Sequence, residues 1–163
     1  MHILLKTSAA AAIALTGLAN APAHAGEDIV VQSAAAMEEW SQSVTHSLDR
    51  RLLLSKKAMR ADTVNGIVQL RFTLDDRGKA QDIRVYRSSG DSLTDRVASY
   101  AVRSLPNLDE APVRDVHEKT FQANIIFADG FAEYSELSRE LAQSEAKRIA
   151  FGGEEEEVVA LGG

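Results

Sequence analysis

The stretch from Gly66 to Leu74 constrains the fold more than any other part of this chain. Val68, Leu70, Phe72 and Leu74 alternate with Gln69, Arg71 and Thr73. A period of two puts the four apolar side chains on one face of a strand and the polar ones on the other. Asp75-Asp76-Arg77-Gly78-Lys79 follows with turn chemistry, acids at its start and a glycine free to take positive φ. Alternation resumes at Ile83 and Val85 against Arg84 and Tyr86, so the two runs predict an antiparallel hairpin.

Helical periodicity flanks this hairpin. Ahead of it, from Ala36 to about Lys57, Met37, Trp40, Val44, Leu48 and Leu52 recur at steps of three and four. Glu38 and Glu39 in the first turn and Lys56 and Lys57 near the last suit the helix dipole. After it, Ser88-Ser89-Gly90 ends the second strand and Asp91 or Ser92 can cap a helix from about Leu93 to Ser104. The buried stripe of that helix is predicted as Leu93, Val97, Tyr100, Ala101 and Leu105, and Pro106 stops it. A loop through Pro112 leads to a third alternating run, with Phe121, Ala123, Ile125 and Phe127 on one side and Asp129-Gly130 at its end. The order is helix, strand, strand, helix, strand, and the three strands leave two sheet edges able to accept another extended chain.

The two ends of the chain read differently. Residues 1–25 have the form of a signal peptide, with Lys6 as its positive region, Ala9 to Ala19 as its apolar region and Ala23-His24-Ala25 as a small-x-small cleavage pattern. Only 13 residues separate Lys6 from Asn20, against roughly 20 for a membrane-spanning helix. The expectation is an exported protein whose mature chain starts at Gly26, with no membrane span after cleavage; an uncleaved anchor in the inner membrane is the rival. Residues 26–35 are read as an extended arm and residues 36–130 as the domain. A charged helix over 131–152 carries a thin stripe of Phe131, Tyr134, Leu137, Leu141 and Ile149, which either docks on the core or binds a partner helix. Residues 153–163, four glutamates followed by Val158-Val159-Ala160-Leu161, are expected to be a solvated, disordered tail.

Composition removes several functions. With 24 acidic against 18 basic residues and no cysteine, a nucleic-acid partner, a disulfide framework, a thiolate zinc site and a cysteine nucleophile drop out. Ser88 and Ser89 lack a nucleophile elbow, and turn and cap use accounts for them. His46 and His117 sit among polar neighbours, and no spacing of histidines or acids suggests a metal. No catalytic residue, no metal ligand and no cofactor is assigned.

Taken in order, Gly66-Ile67-Val68-Gln69-Leu70-Arg71-Phe72-Thr73-Leu74-Asp75, Gly78, Val85, Ser88-Ser89-Gly90, Leu93, Asp95, Ala98, Ala101-Val102-Arg103 and Pro106 resemble the TonB C-terminal domain. The likeness covers Asn65 to Phe127 and extends loosely over the preceding helix. It implies an α+β fold, a small antiparallel three-stranded sheet packed against helices, with the 131–152 helix added behind it. It also implies a periplasmic module that binds the TonB box, a short extended segment of an outer-membrane transporter, by strand addition. Two family features are missing: the chain has only three prolines, too few for a proline-rich spacer, and Lys57-Ala58-Met59-Arg60-Ala61 stands where a Tyr-Pro pair is frequent.

By that resemblance the partner would pair along Thr120 to Phe127, with Thr120 at the start of the edge and Gln122, Asn124 and Ile126 facing away from the core. Asp28, Ile29, Val30 and Val31, after Glu27, are similar to a TonB box themselves, and Glu156-Glu157-Val158-Val159 is a poorer echo. Two readings are open: an ordinary N-terminal arm, or one such segment pairing with the edge of its own or a neighbouring domain, either blocking it or linking molecules. The alternative function is a self-assembling envelope protein, a homodimer whose paired edges close one another.

Overall fold

The computed structural model of the chain describes residues 25–153 and 157–163, and of residues 25–33 the backbone alone. Helix α1 (Ala25–Met59) opens the fold. It turns Trp40, Val44 and Leu48 inward, as its spacing predicts. It stops where Arg60 enters the left-handed region (φ 50°) and the Ala61 amide donates back to the Lys56 carbonyl at 3.0 Å. Strands β1 (Gly66–Leu74) and β2 (Ala80–Arg87), helix α2 (Ser92–Arg103), strand β3 (Phe121–Phe127), helix α3 (Phe131–Phe151) and strand β4 (Val159–Gly162) follow. Two short 3-10 turns, Leu108–Glu110 and Val116–Glu118, shape the loop before β3.

The strands form one sheet in the order β2-β1-β3-β4. β1 is antiparallel to both its neighbours, and β4 runs parallel to β3. One face of the sheet presents Val68, Leu70, Phe72, Phe121, Ala123 and Ile125 to a core closed by α1 and α2. Phe72 and Phe121 stack with their ring centroids 5.5 Å apart, and Trp40 tilts against Phe121 at 6.3 Å while its indole N–H donates to the Asn107 carbonyl at 3.0 Å. Partnering that N–H lets the indole be buried without a lost hydrogen bond. Val159 and Leu161 of β4 belong to the same core.

The α+β fold with its sheet against helices is as expected, but the sheet has four strands rather than three. The tail expected to be disordered supplies the fourth, because Val158, Val159 and Leu161 find apolar surface to bury. Glu154 to Glu156 lie outside the described residues, as do residues 1–24 of the expected signal segment. Residues 26–35 belong to α1 rather than to an extended arm, since Ala34, Ala35 and Ala36 carry helical propensity straight into the amphipathic stretch.

Two predicted stripes also change. In α2, Tyr100 is exposed while Val97, Ala98, Ala101 and Val102 carry the contact. In β2, Val85 lies opposite the buried Leu70, on the predicted face, yet is exposed on this edge strand. Helix α3 lies against the second face of the sheet, but of its predicted stripe only Leu141 is fully buried, and Phe131, Tyr134 and Ile149 are exposed. The face it meets carries Gln69, Arg71, Gln122 and Asn124 beside Ile67 and Ile126, so polar residues of α3 share the contact with Leu141.

Candidate functional site

The outer edge of β3 is the candidate surface, and a segment of the chain already occupies it. Phe121 pairs with Val159, Gln122 with Ala160, Ala123 with Leu161 and Asn124 with Gly162. Thr120 lies just before the strand, and its carbonyl accepts from the Val159 amide at 3.0 Å. Val159 and Leu161 point into the core, as alternate residues of a strand must. The Gly162 amide donates to the Thr45 hydroxyl of α1 at 3.2 Å. Gly162 adopts φ +78°, and a Cβ there would run into the Asn124 carbonyl. Glycine is what lets the strand end this close to its neighbour. Outside the ladder, Glu157 reaches Lys119 at 3.1 Å with its own side chain largely exposed, an arrangement of small energetic weight.

β4 covers only part of the edge. Its register stops at Asn124, and the remaining residues of β3, Ile125 to Phe127, adjoin a groove against α1. Two hollows of about 200 and 310 Å³ share Asp49, Leu52 and Ile126, the first ending at Gly162 and Gly163 and the second at Lys56 and Phe127. Leu53, 71% exposed, stands beside the second. The groove thus continues along the line on which β4 ends.

Gln122, Asn124 and Ile126 do face away from the core, but they are not an open surface. Gln122 and Asn124 are buried and Ile126 is half-buried. They meet α3 through a cluster of polar groups centred on Glu145. One carboxylate oxygen of Glu145 accepts from the side-chain amides of Gln69 at 3.0 Å and Gln122 at 2.7 Å, and the other accepts from Arg148 at 2.9 Å. The Asn124 side-chain oxygen accepts from the same two amides, each at 2.9 Å, and Arg71 donates to Gln122 at 3.1 Å. Register explains the set, since Gln69 lies opposite Asn124 and Arg71 opposite Gln122. The signal for this cluster was present as polar residues at facing positions of two strands, but nothing in the pattern places α3 over them.

The opposite edge of the sheet is less suited to a partner. β2 carries the two register shifts, the left-handed Asp82 and the charged Arg84 and Arg87, features that discourage strand pairing. The predicted pairing arm, Asp28 to Val31, has a helical backbone within α1. The segment on the β3 edge is instead Val159–Gly162, which shares only Val159 with the C-terminal echo.

Ser88 and Ser89 serve α2. Both hydroxyls donate to the Asp95 carboxylate, at 2.5 and 2.8 Å, and the Ser89 amide donates to it at 2.9 Å. Asp91 caps the helix by accepting from the Thr94 amide at 2.7 Å and its hydroxyl at 2.8 Å. Those bonds to Thr94 hold the Asp91 carboxyl below the usual carboxylate range. His46 contacts Arg50 along α1, and His117 lies exposed in the second 3-10 turn. Among the described residues no helix is long and apolar enough to cross a membrane.

Comparison with curated proteins and with solved structures gives no match. Residues 53–128 match the family model described as the Gram-negative bacterial TonB protein C-terminal. That span runs from the end of α1 through β3, and α3 and β4 follow it. With the hairpin, the capped helix α2 and the third strand in the order the motifs require, the domain formed by these residues belongs to the TonB C-terminal family.

Proposed function

We infer that this chain is a periplasmic protein-binding module that takes up an extended segment of a partner, an outer-membrane transporter, along the outer edge of β3. One observation carries the reading: a four-residue segment that follows the family domain is paired in parallel at that edge, with two alternate side chains in the core. The edge can therefore hold a short extended peptide, its backbone supplying hydrogen bonds and alternate side chains supplying selectivity. The family match supports an envelope role of the energy-transducer type. Export through the N-terminal segment and a role in binding rather than catalysis belong to the same reading.

A labelled peptide of the transporter-box type, acidic residues followed by β-branched ones, tests it by fluorescence anisotropy against the chain from Gly26 to Gly163. Saturable binding is expected, and a version of the peptide with prolines at alternate positions should not bind, since proline removes the donors a ladder needs. Equal binding of both peptides, or none by either, would overturn the reading.

A further inference from the structure

We propose that β4 is a resident stand-in for the partner, closing Phe121 to Asn124 until a partner's extended segment, acidic and then apolar at alternate positions, enters along Ile125 to Phe127 and displaces it. The proposal rests on the β3 edge being the partner surface, and it names the partner's chemistry and the way access is controlled.

The occupant shows what the edge accepts. β4 offers Val159 and Leu161 to the core and Gly162 at the closest approach to β3, and Glu157 just ahead of them meets Lys119. A segment that replaces β4 in the same direction would meet the same groups: a cation first, then two apolar sockets, then a position that only glycine fills without strain. At the far end the groove beside Leu52, Leu53 and Lys56 gives a longer segment room that β4 does not use.

The attachment of β4 suits an occupant that leaves. Four residues pair, and they follow Gly152 and Gly153, both at positive φ, and a run of four glutamates. Beyond the paired register, the polar ties described are the exposed ion pair, the Val159 amide to the Thr120 carbonyl and a single bond to Thr45. Ile125 to Phe127 lie next to the covered stretch in the same strand, so a segment that pairs there first can advance one residue at a time as β4 retreats. Neither strand then has to leave the edge bare.

The chain has no cysteine, so a single disulfide can hold β4 in place. The experiment uses three full-length proteins: the chain itself, Leu161→Asp, whose charge cannot stay in the core, and the pair Gln122→Cys with Ala160→Cys, which face one another across the two strands. The probe is a labelled peptide with the sequence of Glu154 to Gly163. Leu161→Asp should bind it at least tenfold more tightly than the unaltered chain. The oxidised cysteine pair should not bind it, and reduction of that same sample should restore binding.

Equal affinity of Leu161→Asp and the unaltered chain, with both folded by circular dichroism, would overturn the proposal. So would equal binding by the oxidised and reduced pair, a comparison that needs no second fold. The transporter-box peptide on the same proteins separates this proposal from the reading it rests on. If that peptide binds every form alike, the oxidised pair included, the partner reading stands and the stand-in is lost. If the chain's own peptide follows the expected order and the box peptide never binds, the stand-in stands and the transporter is lost.

Discussion

Asp91 holds the start of α2 by accepting the Thr94 amide and hydroxyl, and it does so only as a carboxylate. Its folded-state pKa lies below 3.8, so its contribution to stability is complete well above that value and is lost as the pH falls through the lower folded value. Asp91→Ala should therefore lower the melting temperature by several degrees at neutral pH. The gap from the unaltered chain should close as the pH falls below 3.8. Asp75 is depressed for a similar reason, chiefly the Lys79 amide that donates to it in the hairpin turn, but it is common to both proteins and cancels. Melting curves across that range check the sign. Glu145 makes a contrasting case, since Gln69 and Gln122 both donate to it from a largely buried face. Glu145→Ala should cost about 1–3 kcal/mol, the penalty for stripping an acceptor from buried donors. Glu145→Gln, which keeps an acceptor oxygen, should cost less, and urea titration followed by Trp40 fluorescence compares them. The cap at Asp91 was legible because a helix start needs such a residue in that place. The tie at Glu145 was not, because it depends on which face of the sheet a distant helix covers.

Among the elements, β1, the hairpin, α2 and β3 followed from local periods and turn residues, and each lies within the family match. β4 did not follow, because four residues are too short to show a period and a glutamate run reads as solvated chain. What turns Val159 to Gly162 into a strand is the unpaired edge of β3, a long-range fact that the tail's own composition does not carry. The failure at Val85 has the same character, for it keeps the predicted face opposite Leu70 but sits on an edge strand, a place in the sheet that local alternation does not carry. A detachable β4 also changes what truncation does. Leu105 and Leu161 are both buried, and a buried leucine cut to alanine ordinarily costs about 2–5 kcal/mol. Leu105→Ala should fall in that range. Leu161→Ala should cost less, because its effect cannot exceed the free energy with which β4 is held. Denaturant unfolding of both variants decides it, and equal losses would mean that β4 is as integral to the fold as the core around Leu105.

At the scale of the molecule, the end of α1, three antiparallel strands and α2 make the family domain, and the segment that follows it crosses the second face of the sheet to lie beside β3. α3 spans that face through polar contacts at Glu145 and leaves Phe131 and Phe151 exposed, so the crossover is held less firmly than the core beneath it. The domain thus carries a strand-accepting edge and, in the same chain, a short strand that fills it. Residue-resolved amide hydrogen exchange, with and without a saturating transporter-box peptide, tests this account most directly. The account predicts that added peptide increases protection at Ile125 to Phe127 and decreases it at Val159 to Gly162. Protection gained along β2, with Val159 to Gly162 unchanged, would contradict it.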